Sequence, residues 1–321
     1  MLNKLLFKSV LFMCAGVMLL LASNDKVFSQ GVGLGAEAEA TVEENIPREK
    51  ALVVKYINAD LDTIDKAFSQ AAPLKLELQM QDRAFPNGGG SVSALEVRGV
   101  HNGSRIFFNF KWSDKTKNDR VIADHLFRDA VGLMFPLDIV TISPETPFSP
   151  RMGDRGKPVN IWHWKADWER EMDSECGFEH MEDQYPDMFT DFDFHTHPLH
   201  FHDQELHSIP LISGGRAAGN MLSQPNKGTT VEDLNAIGFS TLTTQDHQDV
   251  QGKGKWENSG WNVTMYRDLI TADTNDVQFI PGVETFFNVA VWNGEEGDRN
   301  GQKSISTRWS PVKLETVKYD Q

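Results

Sequence analysis

Thiols are scarce in this chain, and the scarcity excludes two arrangements. Only two of the 321 residues are cysteines. Cys14 sits in an apolar N-terminal segment that reads as a removable signal, which leaves Cys176 alone and rules out a disulfide framework. Cys176-Gly-Phe-Glu-His180 has one thiol and the wrong spacing for the C-x-x-C-H pattern of covalent c-type haem. Positive charge is short as well: 31 Lys and Arg face 46 Asp and Glu, a net charge of -15. That balance suits neither nucleic-acid phosphates nor an anionic lipid surface. After Ala22 no apolar run approaches the ~20 residues of a membrane-spanning helix. No G-x-S-x-G elbow, P-loop, dinucleotide fingerprint or H-E-x-x-H pair occurs, so nothing marks the chain as an enzyme by itself.

What is present begins with an export signal. Lys4 and Lys8 precede an apolar stretch from Val10 to Ala22, and Val27-Phe28-Ser29 fits a cleavage site. The expected organisation is a signal peptide at 1–29, a flexible Gly-, Ala- and Glu-rich leader at 30–50, and one domain at 51–321, placed in the periplasm. Within the domain, strand signals dominate. Leu74, Leu76, Leu78 and Met80 alternate with polar residues, and Asn102-Gly103 separates Ala94–Val100 from Arg105–Trp112 as in a hairpin. Ala51–Ile57, Ala130–Phe135, Val159–Trp164, Phe239–Thr243, Val250–Trp256, Trp261–Tyr266, Phe286–Trp292 and Ser304–Trp309 continue the pattern. Ala123–Arg128 and Val231–Ala236 read as short helices. Residues 169–212 are rich in Asp, Glu, His, Met and Phe without a clean period. The predicted fold is all-β, an antiparallel β-sandwich with a few short helices and one long irregular insertion.

Three constellations could carry chemistry. Trp162, Trp164 and Trp168 fall close behind Met152, which sits on a Pro-Arg-Met-Gly-Asp turn. Aromatic faces beside a soft sulfur suit a flat polarizable ligand such as a porphyrin, and equally suit plain core packing. His195, His197, His200, His202 and His207 stand among carboxylates, a set that could hold zinc or iron or could be a solvated loop. Glu295 to Gln302 offers oxygens around two glycines, and lacks the distal ligand of a calcium loop.

Several strings then occur in a telling order: Met152-Gly-Asp, Ile161-Trp-His-Trp-Lys-Ala-Asp-Trp168, Gly215-Arg-Ala-Ala-Gly-Asn220, Gly238-Phe-Ser-Thr-Leu-Thr-Thr244, Gln251-Gly-Lys-Gly-Lys-Trp256, Phe287-Asn-Val-Ala-Val-Trp-Asn-Gly294 and Asp298-Arg-Asn-Gly-Gln-Lys-Ser-Ile-Ser306. The set resembles the haem b γ subunits of type II dimethyl-sulfoxide-reductase-family molybdoenzymes, which include ethylbenzene dehydrogenase, chlorate reductase and nitrite oxidoreductase. The reading leans to the nitrite oxidoreductase type. The resemblance implies a sandwich holding one haem b between a methionine and a lysine. It also implies a molybdenum α subunit, an iron–sulfur β subunit and an outside carrier such as a soluble c-type cytochrome. Carried over by motif, Met152 is the first choice for the sulfur ligand and Met134 the fallback; Lys253 is the first choice for the amine and Lys255 the second. Trp162, Trp164 and Trp256 would line the slot, and Arg216 would meet a propionate. The alternatives are an exported carbohydrate-binding sandwich and a metal-dependent hydrolase built on His195–His207.

Overall fold

The computed structural model describes residues 50–59, 61–138, 150–173, 214–224 and 227–316, all within a unit spanning 48–321. The chain runs β1 (Leu52–Tyr56), α1 (Ile64–Phe68), β2 (Leu74–Glu77), β3 (Gln79–Met80), β4 (Ala94–His101), β5 (Arg105–Ser113), β6 (Ala130–Pro136) and β7 (Val159–Lys165). It continues through α2 (Ala166–Met172), α3 (Gly214–Ala217), β8 (Val231–Ala236), β9 (Thr243–Thr244), β10 (Gln251–Trp256), β11 (Gly260–Asp268), β12 (Glu284–Trp292), β13 (Ser304–Ile305) and β14 (Ser310–Leu314). The strands form two facing layers. The first follows the order β10-β11-β5-β4-β1-β14, with β2 beside β4. The second follows β12-β6-β7-β8-β9, with β13 and β3 beyond β12. Strand β12 belongs to both: Glu284–Phe287 pair with β14, and Asn288–Trp292 pair with β6.

The all-β sandwich stands, with a mixed rather than purely antiparallel sheet. β1 runs parallel to both β4 and β14. Its neighbours are remote in sequence, so no hairpin sets its direction. Strand β8 replaces the helix expected at Val231–Ala236. There Val231, Asp233 and Asn235 share one face, and Glu232, Leu234 and Ala236 the other. Buried carboxylates hid that alternation: Glu232 pairs with Lys165, and Asp233 accepts from Asn160 Nδ2 at 2.6 Å. Ala123–Arg128 is an irregular turn, and Phe239–Thr243 contributes only the start of β9. Ser304–Trp309 holds the short β13, and β14 begins just after it.

The space between the layers is filled with aromatic rings. Phe108 of β5 meets Phe135 of β6 at 5.8 Å and Trp162 of β7 at 6.0 Å. Trp164 meets Trp112 at 6.4 Å and Trp261 at 4.9 Å. Both Trp162 and Trp164 are fully buried, and edge-to-face contacts of this kind add to the burial of apolar area. Trp162→Ala should cost about 3–5 kcal/mol of stability, measured by urea denaturation, because the surrounding rings cannot close the gap.

A charged network crosses the same core. Arg267 pairs with Asp276 at 3.0 Å, both side chains 1% exposed, and its guanidinium lies 5.1 Å from the Trp162 ring. Asp233 lies beside this pair; burial first, and the Asp276 charge second, push its carboxyl up to about 8. An unfolded aspartate titrates near ~4, so the folded chain holds the extra proton between about pH 4 and pH 8. The contribution is complete at low pH and is lost as pH rises through the folded value. Stability should therefore fall from about pH 5 to pH 8, and Asp233→Asn should flatten that slope in denaturant titrations. An unchanged slope would show that Asp233 does not bind the proton.

Candidate functional site

Alternation along β6, β7 and β12 places one set of side chains in the core and the other on the outer face of the second layer. Val131, Leu133, Phe135, Trp162, Trp164, Val289 and Val291 point inward. Their neighbours form rows across the outer face. One row is Asn288, Met134, Ile161 and Leu234; the next is Ala290, Gly132, His163 and Glu232; the third is Trp292, Ala130 and Lys165. Gly132 lets the Trp292 ring lie over the middle row, where an added Cβ would come 3.3 Å from that ring.

The two candidate methionines meet at one end of this face. Met134 is 7% exposed and packs with Val159, Ile161, Leu234, Ala236 and Trp309; Met152 lies against the same cluster. The Met152 turn is held by backbone. Met152 has φ +62°, its carbonyl accepts from Gly238 N at 2.9 Å, and Gly153 at φ +80° lies against the carbonyls of Ala236 and Lys157. Only glycine tolerates that approach, which explains the Met-Gly pair.

The lysines chosen from sequence lie elsewhere. Lys253 and Lys255 belong to β10, which pairs only with β11, at the edge of the first layer. Both are exposed, and Lys255 forms an ion pair with Glu257 at 2.7 Å. Gly252 and Gly254, which alternate with them, face inward, where added side chains would strike Val231 and Trp164. They admit a tryptophan, not a ligand. Glu169 of α2 locks this contact by accepting from Trp164 Nε1 at 3.0 Å and Gly254 N at 2.7 Å. Trp162 and Trp164 are thus core residues, and Trp256 packs on the core with its indole donating to the Asp114 carbonyl. None of the three lines the methionine face. Arg216 falls in α3, and its side chain lies outside the described residues, as do His195, His197, His200 and His202. Among the described residues no cluster of three metal-ligating side chains occurs. Residues 295–302 are a plain turn in which Asp298 Oδ2 accepts from Asn293 N at 3.1 Å.

A different lysine shares the methionine face. Lys303 immediately precedes β13, whose Ile305 pairs with Ala290. Its Nζ lies 4.7 Å from the Trp292 ring and has no carboxylate partner among the described residues. Burial alone brings its pKa down to about 8. A loop from Gln81 to Gly90 clamps this segment. Gln81 N donates to the Lys303 carbonyl at 3.1 Å, Lys303 N donates to Gly88 O at 3.0 Å, and Gln81 Nε2 donates to Gly301 O at 2.9 Å. A Cβ on Gly89 would collide with the Lys303 backbone. Lys303 lies within one of the motif strings above, yet the clamp joins positions more than two hundred residues apart, which no local pattern reveals.

Residues 65–304 match the family described as ethylbenzene dehydrogenase. The chain is 22% identical over 242 residues to a protein of Haloferax mediterranei named as a respiratory nitrate reductase heme subunit, covering 75% of this chain and 64% of that one. The chlorate reductase γ subunit of Ideonella dechloratans is 22% identical over 70% of this chain and 69% of its own length. The dimethylsulfide dehydrogenase γ subunit of Rhodovulum sulfidophilum is 22% identical over 92% and 94%. Among solved structures, a family 9 carbohydrate-binding module of Caldicellulosiruptor kristjanssonii superposes with a TM-score of 0.36 at 8% identity, covering 85% of this chain and 99% of the module. That likeness is too distant to bear on function. With the match extending over most of its length, the chain belongs to the ethylbenzene dehydrogenase family.

Proposed function

We propose that this chain is the haem-carrying electron-transfer subunit of a molybdenum oxidoreductase complex, with the haem on the outer face of the second layer. The observation that carries the reading is Lys303: a half-buried amine with no anion beside it among the described residues, on the face that also gathers Met134 and Met152. Such an amine is unstable as a buried cation and well suited to act as a neutral base. An iron ligand must be the free amine, and a lowered pKa brings that form within reach of neutral pH. Met152 is the sulfur ligand in this reading, with Met134 beside it, and the Trp292 ring over Gly132 lies on the same face as the amine. When bound, the haem iron supplies one-electron redox chemistry, which a thioether ligand biases towards the ferrous state. The protein holds the ligands, excludes water with the Val159, Leu234 and Trp309 cluster, and fixes the amine through the Gln81 clamp.

The names of the relatives support the rest of the reading. Two are γ subunits of oxidoreductases and one is named as a heme subunit. The partners in this proposal are a molybdenum α subunit, an iron–sulfur β subunit and a soluble c-type cytochrome or similar carrier. The Lys4–Ser29 signal pattern supports action in the periplasm. The nitrite oxidoreductase type is kept as the substrate reading, since nitrite oxidation reverses the reaction in one relative's name. A sugar-stacking module is not favoured: none of the eight tryptophans is exposed.

A pyridine haemochrome assay on the native complex should report b-type haem. Lys303→Ala should abolish the low-spin six-coordinate absorption spectrum, while Lys253→Ala and Lys255→Ala leave it unchanged. The opposite pattern would return the amine to β10. Gly89→Ala should move the Lys303 backbone and cost roughly 1–3 kcal/mol as strain, visible both in thermal melting and in a partial high-spin spectrum. Normal melting with a normal spectrum would remove the clamp from the site.

A further inference from the structure

We propose that His163 receives a carboxylate of the bound macrocycle, its Nε2–H donating to an anionic oxygen. The inference rests on the haem reading above and concerns a residue which that reading leaves unused.

His163 occupies the middle row of the outer face, directly opposite Gly132 and between the rows of Met134 and Trp292. Its ring lies 4.6 Å from the Trp292 ring at an interplanar angle of 33°, and Lys303 Nζ approaches the same indole. The imidazole is therefore held against the indole that Lys303 also approaches, one row from Met134. Nε2 is buried and has no hydrogen-bond partner among the described residues. A buried polar atom of this kind is normally satisfied, so it points to a group that the described residues do not supply.

The surroundings define that group. Burial first, and the charges of Lys165, Arg128 and Lys303 second, hold His163 well below its ordinary value, as a neutral ring. Lys165 is engaged by Glu232 and Arg128 by Asp167, while Lys303 has no anion among the described residues. A neutral N–H donor flanked by cations favours an anionic acceptor over a neutral one. Of its same-face neighbours on β7, Ile161 is apolar and Lys165 already paired, so His163 offers the unused donor of that strand. Haem brings two carboxylates on flexible arms, and the Trp292 indole that lies over Gly132 holds the imidazole from one side.

The test uses the native complex carrying His163→Leu or His163→Gln. Haem loss to apomyoglobin should be about tenfold faster for His163→Leu, the size of one hydrogen bond to a charged acceptor. The low-spin spectrum should stay unchanged, and His163→Gln, which keeps an N–H donor, should retain haem nearly as well as the wild type. Reconstitution with haem dimethyl ester, which has no free carboxylate, should abolish the difference between wild type and His163→Leu. Unaltered retention in His163→Leu would overturn the proposal, as would a high-spin spectrum, which would make His163 an iron ligand instead. A tenfold loss that persists with the dimethyl ester would assign His163 to packing and also overturn it. Absence of b-type haem from the wild-type complex is a separate result: it ends the functional reading and this inference together.

Discussion

Neighbouring side chains in a strand leave on opposite faces, and along β6 and β7 that rule separates the packing of this molecule from its candidate chemistry. Phe135, Trp162 and Trp164 enter the core; Gly132, Met134, Ile161 and His163 take the outer face. Neither set can trade places without a one-residue slip of register, which would bring Lys165 and His163 into the aromatic core. The core thus fixes the outer face. Every tryptophan that interlocks with β5 or β11 also sets which residues line up across β12, β6, β7 and β8 on the other side.

The outer face is organised by contrast between its ends. At one end thioethers and aliphatic groups form a dry cluster around Met134 and Met152. At the other, Lys165, Glu232, Arg128 and Asp167 form buried ion pairs, with Lys165 also lying 4.0 Å from the Trp168 ring. Lys303 differs from these cations in having no counter-charge among the described residues, and a backbone clamp holds its segment in place. The free energy of desolvating that amine is compensated only if the proton leaves or something binds. Glycines serve the same end at three places. Gly153 lets the methionine turn press on β8, Gly89 lets the clamp press on Lys303, and Gly132 lets the Trp292 ring lie against β6.

Much of the sandwich was legible because its strands carry clean alternation or turn chemistry, as in β2, in the β4–β5 hairpin and in β11. Strand β8 was not, because Glu232 and Asp233 are buried charges whose partners, Lys165, Asn160 and Gln245, come from other elements. Met134 and Met152, both named from their motifs, share one apolar cluster. Gly-Lys-Gly-Lys imitates a loop that approaches a ligand, whereas its Gly254 makes room for Trp164 and its lysines lie exposed on β10.

By itself the sequence determined the strand-rich class, the acidity and the scarcity of cysteine, since each follows from composition or from local period. It also determined the family, through the order of its motifs. Which lysine faces the methionines, and which imidazole lies between them, was decided only by tertiary structure. Those positions depend on how β12 crosses from one layer to the other and on a glycine loop meeting a segment far along the chain, and such pairings leave no local trace.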